Sequence, residues 1–292
     1  MDKPASERKI IYSLFFFCLI VFSVFVKHSW AVEKTSNGRV IFFDVGQGDS
    51  ALIQTPFNQD ILIDAGPDRL VIDKLDQYMG EFNRDIELAI LTHNHDDHFN
   101  GFLEIVKNSE FKIEKLIYSN ETCENKLCEE FFRIMKESDV PMIRVNNVSE
   151  ISLSCSTDDL ESCYSAGNYR IKMLGPSEKM AQDKNINNTS ILAFLDFPDK
   201  KFLFTGDAEN EVWEEFCETY QNLGIVDILK VPHHGSKNGL ERCLIDLIQP
   251  TEAVISSGEN NVFGHPHVHI LEMLDSAGVI IRRTDINNDI VY

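Results

Sequence analysis

Basic residues are scarce: across 292 residues, 27 Lys and Arg stand against 47 Asp and Glu, a net charge of −20. Such a surface repels nucleic acid and anionic membranes, so a polyanionic substrate must be drawn in locally. The chain has no Cys-x-x-Cys pair, which argues against a cysteine-held metal. It has no Gly-x-Ser-x-Gly elbow, which removes the common serine-hydrolase motif. A Pro/Gly/Ser-rich linker is missing after residue 38, as is any repeat of solenoid period, so one domain over 38–292 is expected. The apolar fraction, 43%, is ample for a sizeable core.

The N-terminus departs from this pattern. Lys3, Arg8 and Lys9 precede a low-polarity run over residues 10–26, and Ser29-Trp30-Ala31 offers a small-x-small cleavage site. Residues 1–31 therefore read as a signal peptide. If uncleaved they read as a membrane anchor, since the run is at the short end of the roughly 17–25 residues that span a bilayer. Either way the rest of the chain is expected outside the cytoplasm, periplasmic or secreted, touching a membrane only through this segment. No protein partner is inferable. Beyond it lie Cys123, Cys128, Cys155, Cys163, Cys217 and Cys243, an even set that suits an oxidising compartment. Cys123/Cys128 and Cys155/Cys163 are spaced to close small loops; reduced, buried thiols are the alternative.

Hydrophobic periodicity predicts strands at 40–44, 51–54, 60–64 and 86–92, a helix at 100–107, a strand at 112–119 and a helix at 127–138. Residues 120–168 are polar and hold four cysteines, reading as a surface excursion. The alternation then resumes, with strands at 169–174, 190–197, 201–205, 227–231, 253–256 and 279–283 and helices at 209–220, 239–248 and 268–277. Two sheet-rich halves with helices outside predict a four-layer α/β sandwich.

Chemistry-bearing residues gather where predicted strands end. His93-Asn94-His95-Asp96-Asp97-His98 follows the apolar strand at 86–92 and precedes a helix. In an extended loop His93 and His95 point the same way and can grip one cation, while Asp97 and His98, entering the helix, can turn toward a second. Imidazole with carboxylate suits Zn²⁺, Mn²⁺ or Fe²⁺. Asp207, just past the strand at 201–205, could bridge two cations, although a Gly-Asp turn is the commoner meaning of that pair. After the strand at 227–231, His233 could ligate while His234 points elsewhere, to a leaving group as general acid. His265, in Gly264-His265-Pro266-His267, could bind a substrate phosphate or complete the site, and His267 reads as a helix start with a surface role. Two cations together could lower the pKa of a shared water and clamp an attacked phosphoryl or carbonyl group.

The segment over His93–His98 matches the His-x-His-x-Asp-His signature of metallo-β-lactamase-fold hydrolases. Phe43–Ser50, Asn187–Ser190, Phe204–Glu209, Leu229–Ser236 and Asn260–His267 resemble, in the same order, the C-terminal hydrolase domain of ComEC-type competence proteins. The resemblance covers residues 38–292. It implies an αββα sandwich with His93 and His95 on one metal, Asp97 and His98 on the other, Asp207 bridging and His233 closing the second site. It also marks a departure: the superfamily's third histidine for the first metal falls near Asn187–Ser190, where there is none. β-Lactamase activity is therefore not expected. In that family the domain is fused to a large membrane channel that takes up DNA.

The resulting expectation is an exported metallo-hydrolase holding two divalent cations, Zn²⁺ or Mn²⁺. It would act as a phosphodiesterase or nuclease through a metal-bound hydroxide, with Asp97 or Asp207 orienting the attack and His234 and His265 assisting. Its substrate is expected to be a phosphodiester, with single-stranded DNA as one candidate. Against long DNA stands the shortage of bases, with only Lys230, Lys237, Arg282 and Arg283 as scattered candidates for a track. The alternatives are a catalytically idle binding module of the same fold and a hydrolase of a lactone or thioester.

Overall fold

A computed structural model describes residues 38–80, 83–145, 150–152, 170–197 and 199–292. The N-terminal segment 1–31 and the Cys155/Cys163 pair lie outside the described residues. Two seven-stranded sheets face each other. The first runs β16 (Ile290–Val291), β1 (Arg39–Phe42), β2 (Ser50–Gln54), β3 (Asp60–Ala65), β5 (Leu88–Leu91), β7 (Leu116–Tyr118), β8 (Met142–Arg144). The second runs β15 (Ile280–Arg283), β14 (Glu252–Ile255), β13 (Ile228–Lys230), β12 (Lys201–Phe204), β11 (Leu192–Asp196), β10 (Arg170–Gly175), β9 (Glu150–Ser152). β4 (Asp85–Ile86) and β6 (Lys112–Ile113) form a small separate ladder.

Both sheets follow one plan. Antiparallel pairing joins β1, β2 and β3 in one and β9 to β12 in the other. Parallel pairing then carries β3 to β5, β7 and β8, and β12 to β13, β14 and β15. Residues alternate between faces with a period of two. In β5, Leu88 and Ile90 enter the core between the sheets while Ala89 and Leu91 face the outer helices. In β12, Phe202 and Phe204 point inward and Leu203 outward. Strands buried on both faces explain the near-continuous apolar runs.

α1 (Leu70–Tyr78), α2 (Asp96–Asn108) and α3 (Lys126–Glu137) cover the first sheet, and α4 (Asn210–Thr219), α5 (Arg242–Ile248) and α6 (Val268–Ser276) the second; α7 (Thr284–Asn287) is one turn before β16. The architecture is the αββα sandwich expected. Among the described residues no helix is long and apolar enough to cross a membrane.

Several elements differ from the sequence expectation. α1 was not predicted; its buried Val71, Ile72 and Leu75 cluster instead of repeating over two turns, which hides a nine-residue helix. The helix expected at 127–138 is α3, which buries Cys128, Phe131, Phe132 and Met135, but the rest of the stretch read as an excursion, 120–168, contributes the edge strands β8 and β9. Disulfides join Cys123 to Cys128 at the start of α3 and Cys217 to Cys243 between α4 and α5; the second pair was not predicted.

α2 is pressed against β3 at Gly101, where an added Cβ would lie 1.9 Å from the Ala65 carbonyl oxygen. Gly101→Ala is therefore expected to destabilise the protein by about 1–3 kcal/mol through overpacking, despite a helix-propensity gain approaching 1 kcal/mol. Because α2 carries Asp97 and His98 in its first turn, its displacement should also lower metal content. Chemical denaturation beside elemental analysis checks this, and unchanged stability would show that the helix can move away at no cost.

Candidate metal centre

The carboxyl ends of β3, β5, β12, β13 and β14 meet at one edge of the sandwich, where such folds place their sites. Asp64, the next-to-last residue of β3, is held at φ 53°. Its carboxylate accepts from the Thr92 backbone N–H at 2.8 Å and the Thr92 hydroxyl at 2.7 Å, and lies 2.8 Å from His98 Nδ1. A carboxylate can only accept, so the proton sits on Nδ1 and Nε2 is turned into the site. There His98 Nε2 is buried without a hydrogen-bond partner, 3.3 Å from Asp207 Oδ1 and 3.9 Å from Asp97 Oδ1. Burial raises the pKa of Asp64, and His98 offsets only part of that.

His234 repeats this arrangement from the second sheet. Its Nδ1 lies 2.9 Å from the Ser256 carbonyl oxygen and 3.3 Å from Asp49 Oδ1. Its Nε2 lies 3.2 Å from Asp97 Oδ2 and 3.3 Å from Asp207 Oδ2. Asp97, His98, Asp207 and His234 thus bring four ligand atoms within 4.8 Å of one another. The loop from Gly46 to Asp49 braces this cluster: Asp49 N–H donates to the Asp97 carbonyl at 3.2 Å, and a Cβ on Gly48 would stand 2.4 Å from that oxygen.

The electrostatics are those of a cation site. Burial alone would raise Asp207, but His234 and His98 hold it well below the usual carboxylate range. Burial would likewise lower His98 and His234, yet Asp207 foremost, with Asp64 and Asp97 around His98 and Asp49 beside His234, lifts both well above the ordinary imidazole value. The buried carboxylates thus favour positive charge at this cluster. The unpartnered Nε2 of His98 and Oδ1 of Asp207 both meet there, and the mixed nitrogen and oxygen donor set fits a borderline divalent cation.

His93 and His95 form a second group, with His93 Nε2 and His95 Nδ1 3.1 Å apart. The buried His93 ring packs 4.1 Å, centre to centre, from that of His98. Burial, then the proximity of His98, holds His93 well below the usual imidazole value. Where a third histidine is missing, Asn187–Ser190 instead positions the neighbouring turn. Asp207 N–H donates to Ser190 Oγ at 3.1 Å, Glu209 N–H to Asn188 Oδ1 at 3.2 Å, and Asn187 Nδ2 to Glu209 Oε1 at 2.8 Å.

The structure exchanges the adjacent histidines relative to the sequence expectation. His234, not His233, joins the four-group cluster. His233 is half-buried, with Nδ1 3.1 Å from Glu209 Oε1 and Nε2 3.8 Å from Asp207 Oδ2. Both adopt left-handed backbone, φ 48° and 52°, a conformation that costs non-glycine residues about 1–3 kcal/mol each and that linear spacing does not reveal. His234 does not point away from the cluster as expected: its Nε2 faces Asp97 and Asp207 and its Nδ1 the Ser256 carbonyl. His265 stands outside the ligand cluster, its ring centre 5.6 Å from that of His233 and 6.2 Å from that of His234. Burial, then the neighbouring His234 and His233, brings its pKa down to about 4. His267 takes the N-cap position of α6, its Nδ1 receiving the Lys237 N–H at 3.2 Å.

Sequence reasoning did not single out Asp49, Asp64 and Glu209. Asp64 carried a usable signal, a carboxylate at the end of an apolar strand, the same placement as Asp207. Lys230, expected as a candidate nucleic-acid contact, is instead 3% exposed, contacting the Asp49 carboxylate and donating to the Gly206 carbonyl at 3.2 Å. Arg282 and Arg283 pair with Glu252 and Asp285, while Lys237 is exposed.

Residues 43–137 match the model of the metallo-beta-lactamase superfamily. ComE operon protein 3 of Bacillus subtilis is 27% identical over 94% of this chain and 35% of its own length. Recombination protein 2 of Haemophilus influenzae is 25% identical over 94% of this chain and 30% of its own. The chain thus spans about a third of the length of the curated relatives it matches. Among solved structures, CmlA, a diiron β-hydroxylase from Streptomyces venezuelae, superposes with a TM-score of 0.52 at 14% identity, covering 88% of this chain and 54% of that one. Residues 43–137 thus carry the match to the metallo-β-lactamase superfamily, and the chain is similar over most of its length to proteins of the ComEC type that its motifs resemble.

Proposed function

We propose that the protein is an exported metal-dependent phosphodiesterase. The observation that carries this reading is the pair of Nε2 atoms, from His98 and His234, each turned onto Asp207 by an acceptor behind its Nδ1, with Asp97 beside them. Asp97, His98, Asp207 and His234 would hold one divalent cation. His93 and His95, with Asp207 shared, would hold the other, completed by solvent in place of a third histidine. Bound there, Zn²⁺ or Mn²⁺ supplies a water acidified toward neutrality and charge to neutralise a phosphoryl group.

The chain's own groups do the positioning. Asp64 and Ser256 fix the ring orientations of His98 and His234, and Ser190 holds the Asp207 turn. His265, outside the ligand set, is placed to hydrogen-bond a substrate oxygen. Of the bases that might track a polyanion, Lys230 is buried and Arg282 and Arg283 are paired, which favours a small phosphodiester or a strand end over a long duplex. The two disulfides support an oxidising location.

Bis(p-nitrophenyl) phosphate and single-stranded DNA, each assayed with Zn²⁺, Mn²⁺ or chelator, test this reading beside elemental analysis. Expected are about two metal ions per chain and hydrolysis that chelation abolishes. Bound metal with no hydrolysis of either substrate under any metal would replace it with a metal-holding binding module.

A further inference from the structure

Among the described residues eight large apolar side chains are exposed, and three of them, Val262, Phe263 and Val268, flank His265 within seven positions. Val262 is 93% exposed and Phe263 61%. In a chain of net charge −20, a protruding aromatic group bordering a metal centre stands out from its surroundings. It is also held in place. Asn261 Nδ2 donates to the Gly258 carbonyl at 2.9 Å and the His265 carbonyl at 2.6 Å, and Asn261 Oδ1 receives the His265 N–H at 2.9 Å. The Gly258 N–H donates to Gln47 Oε1 at 3.1 Å, tying the loop to the turn that braces Asp97. On this frame the Phe263 ring lies nearly parallel to that of His265, with centres 5.6 Å apart and planes at 22°.

We propose that Phe263, stacked on His265, is a platform for a nucleobase, making the substrate a nucleotidyl phosphodiester. The proposal rests on the phosphodiester reading above and adds the chemical class of the ester's organic group. His265 neighbours the ligand cluster, and Phe263 lies one ring further out. A nucleotide likewise carries its planar ring one sugar away from its phosphorus. His265 lies beside the Phe263 ring in a near-parallel, offset arrangement, and the 61% exposure of Phe263 leaves ring surface open to a base. A base can stack there whatever its identity, because every base offers a π-face. This supplies affinity without a basic track, in keeping with the acidic surface.

The test is binding of thymidine 5′-monophosphate and of ribose 5-phosphate to the metal-loaded protein, read by calorimetry, with Phe263→Ala and Phe263→Trp alongside. Stacking predicts that the nucleotide binds the parent protein about 5- to 150-fold more tightly than the sugar phosphate, and that Phe263→Ala removes this preference. In Phe263→Trp the preference should persist, and the nucleotide, unlike the sugar phosphate, should quench the added indole fluorescence. Equal affinity for the two ligands in the parent, an undiminished preference in Phe263→Ala, or no nucleotide binding overturns the platform. These readouts need no turnover. Hydrolysis of bis(p-nitrophenyl) phosphate without the preference defeats the platform alone; the preference without hydrolysis defeats the phosphodiesterase reading alone.

Discussion

Asp207→Ala is expected to lower metal content from about two ions per chain to below one, and to reduce kcat/KM on a phosphodiester by at least about a hundredfold. In the proposed site Asp207 is the carboxylate that both metal positions would share. Its two oxygens lie 3.3 Å from His98 Nε2 and 3.3 Å from His234 Nε2, and His93 is close enough to feel its charge. Metal stabilisation of a transition state is worth several kcal/mol, and each 1.36 kcal/mol is a factor of ten. Losing the shared ligand should therefore cost more than losing Asp97, which approaches one position only. The buried setting sharpens the contrast, since solvent cannot easily replace a carboxylate at this depth. Elemental analysis with steady-state kinetics on the same preparations decides it. A variant that keeps both ions and parental kcat/KM would remove Asp207 from the site.

How much of this was readable beforehand depends on whether a property is local in the chain. The alternating strands and helices of both halves are local, and the buried two-faced strands announce themselves as apolar runs, so the four-layer sandwich followed from pattern. The His93–His98 segment is likewise local: five strand ends lead to one edge, and His-x-His with Asp-His could be assigned to one neighbourhood. The choice between His233 and His234 was not local. It depends on two consecutive left-handed residues whose strain is sustained by packing, and no spacing rule specifies them. Asp49 and Asp64 were obscured for a related reason. Each acts through its contact with a histidine 34 or more positions away, Asp64 on His98 and Asp49 on His234. Lys230 was misplaced because charge in a sequence says nothing of depth. Its position in an apolar strand end was the overlooked signal, for a lysine there must be either a partner to buried carboxylates or a fault in the core.

Lys230→Met puts that distinction to the test and has the largest stability effect expected here. The ammonium contacts the Asp49 carboxylate, donates to the Gly206 carbonyl at 3.2 Å and lies 3.9 Å from Asp207 Oδ1. Although burial would raise Asp49, the charge of Lys230, then that of His234, keeps its pKa below the usual carboxylate value. Methionine fills similar space but strands that carboxylate. Removing one partner of a buried ion pair costs about 3–5 kcal/mol, which is the loss expected in chelator. Metal should act in the opposite direction. With the ammonium gone, the cluster is one unit more negative, so divalent cations should bind more tightly and stabilise the variant by a larger increment than they do the parent. Chemical denaturation in chelator and in saturating Zn²⁺ gives all four stabilities. If Lys230 merely packs, the metal increment will be the same in both proteins; an increment that grows on substitution identifies the lysine as the fixed countercharge against which the metal centre is balanced.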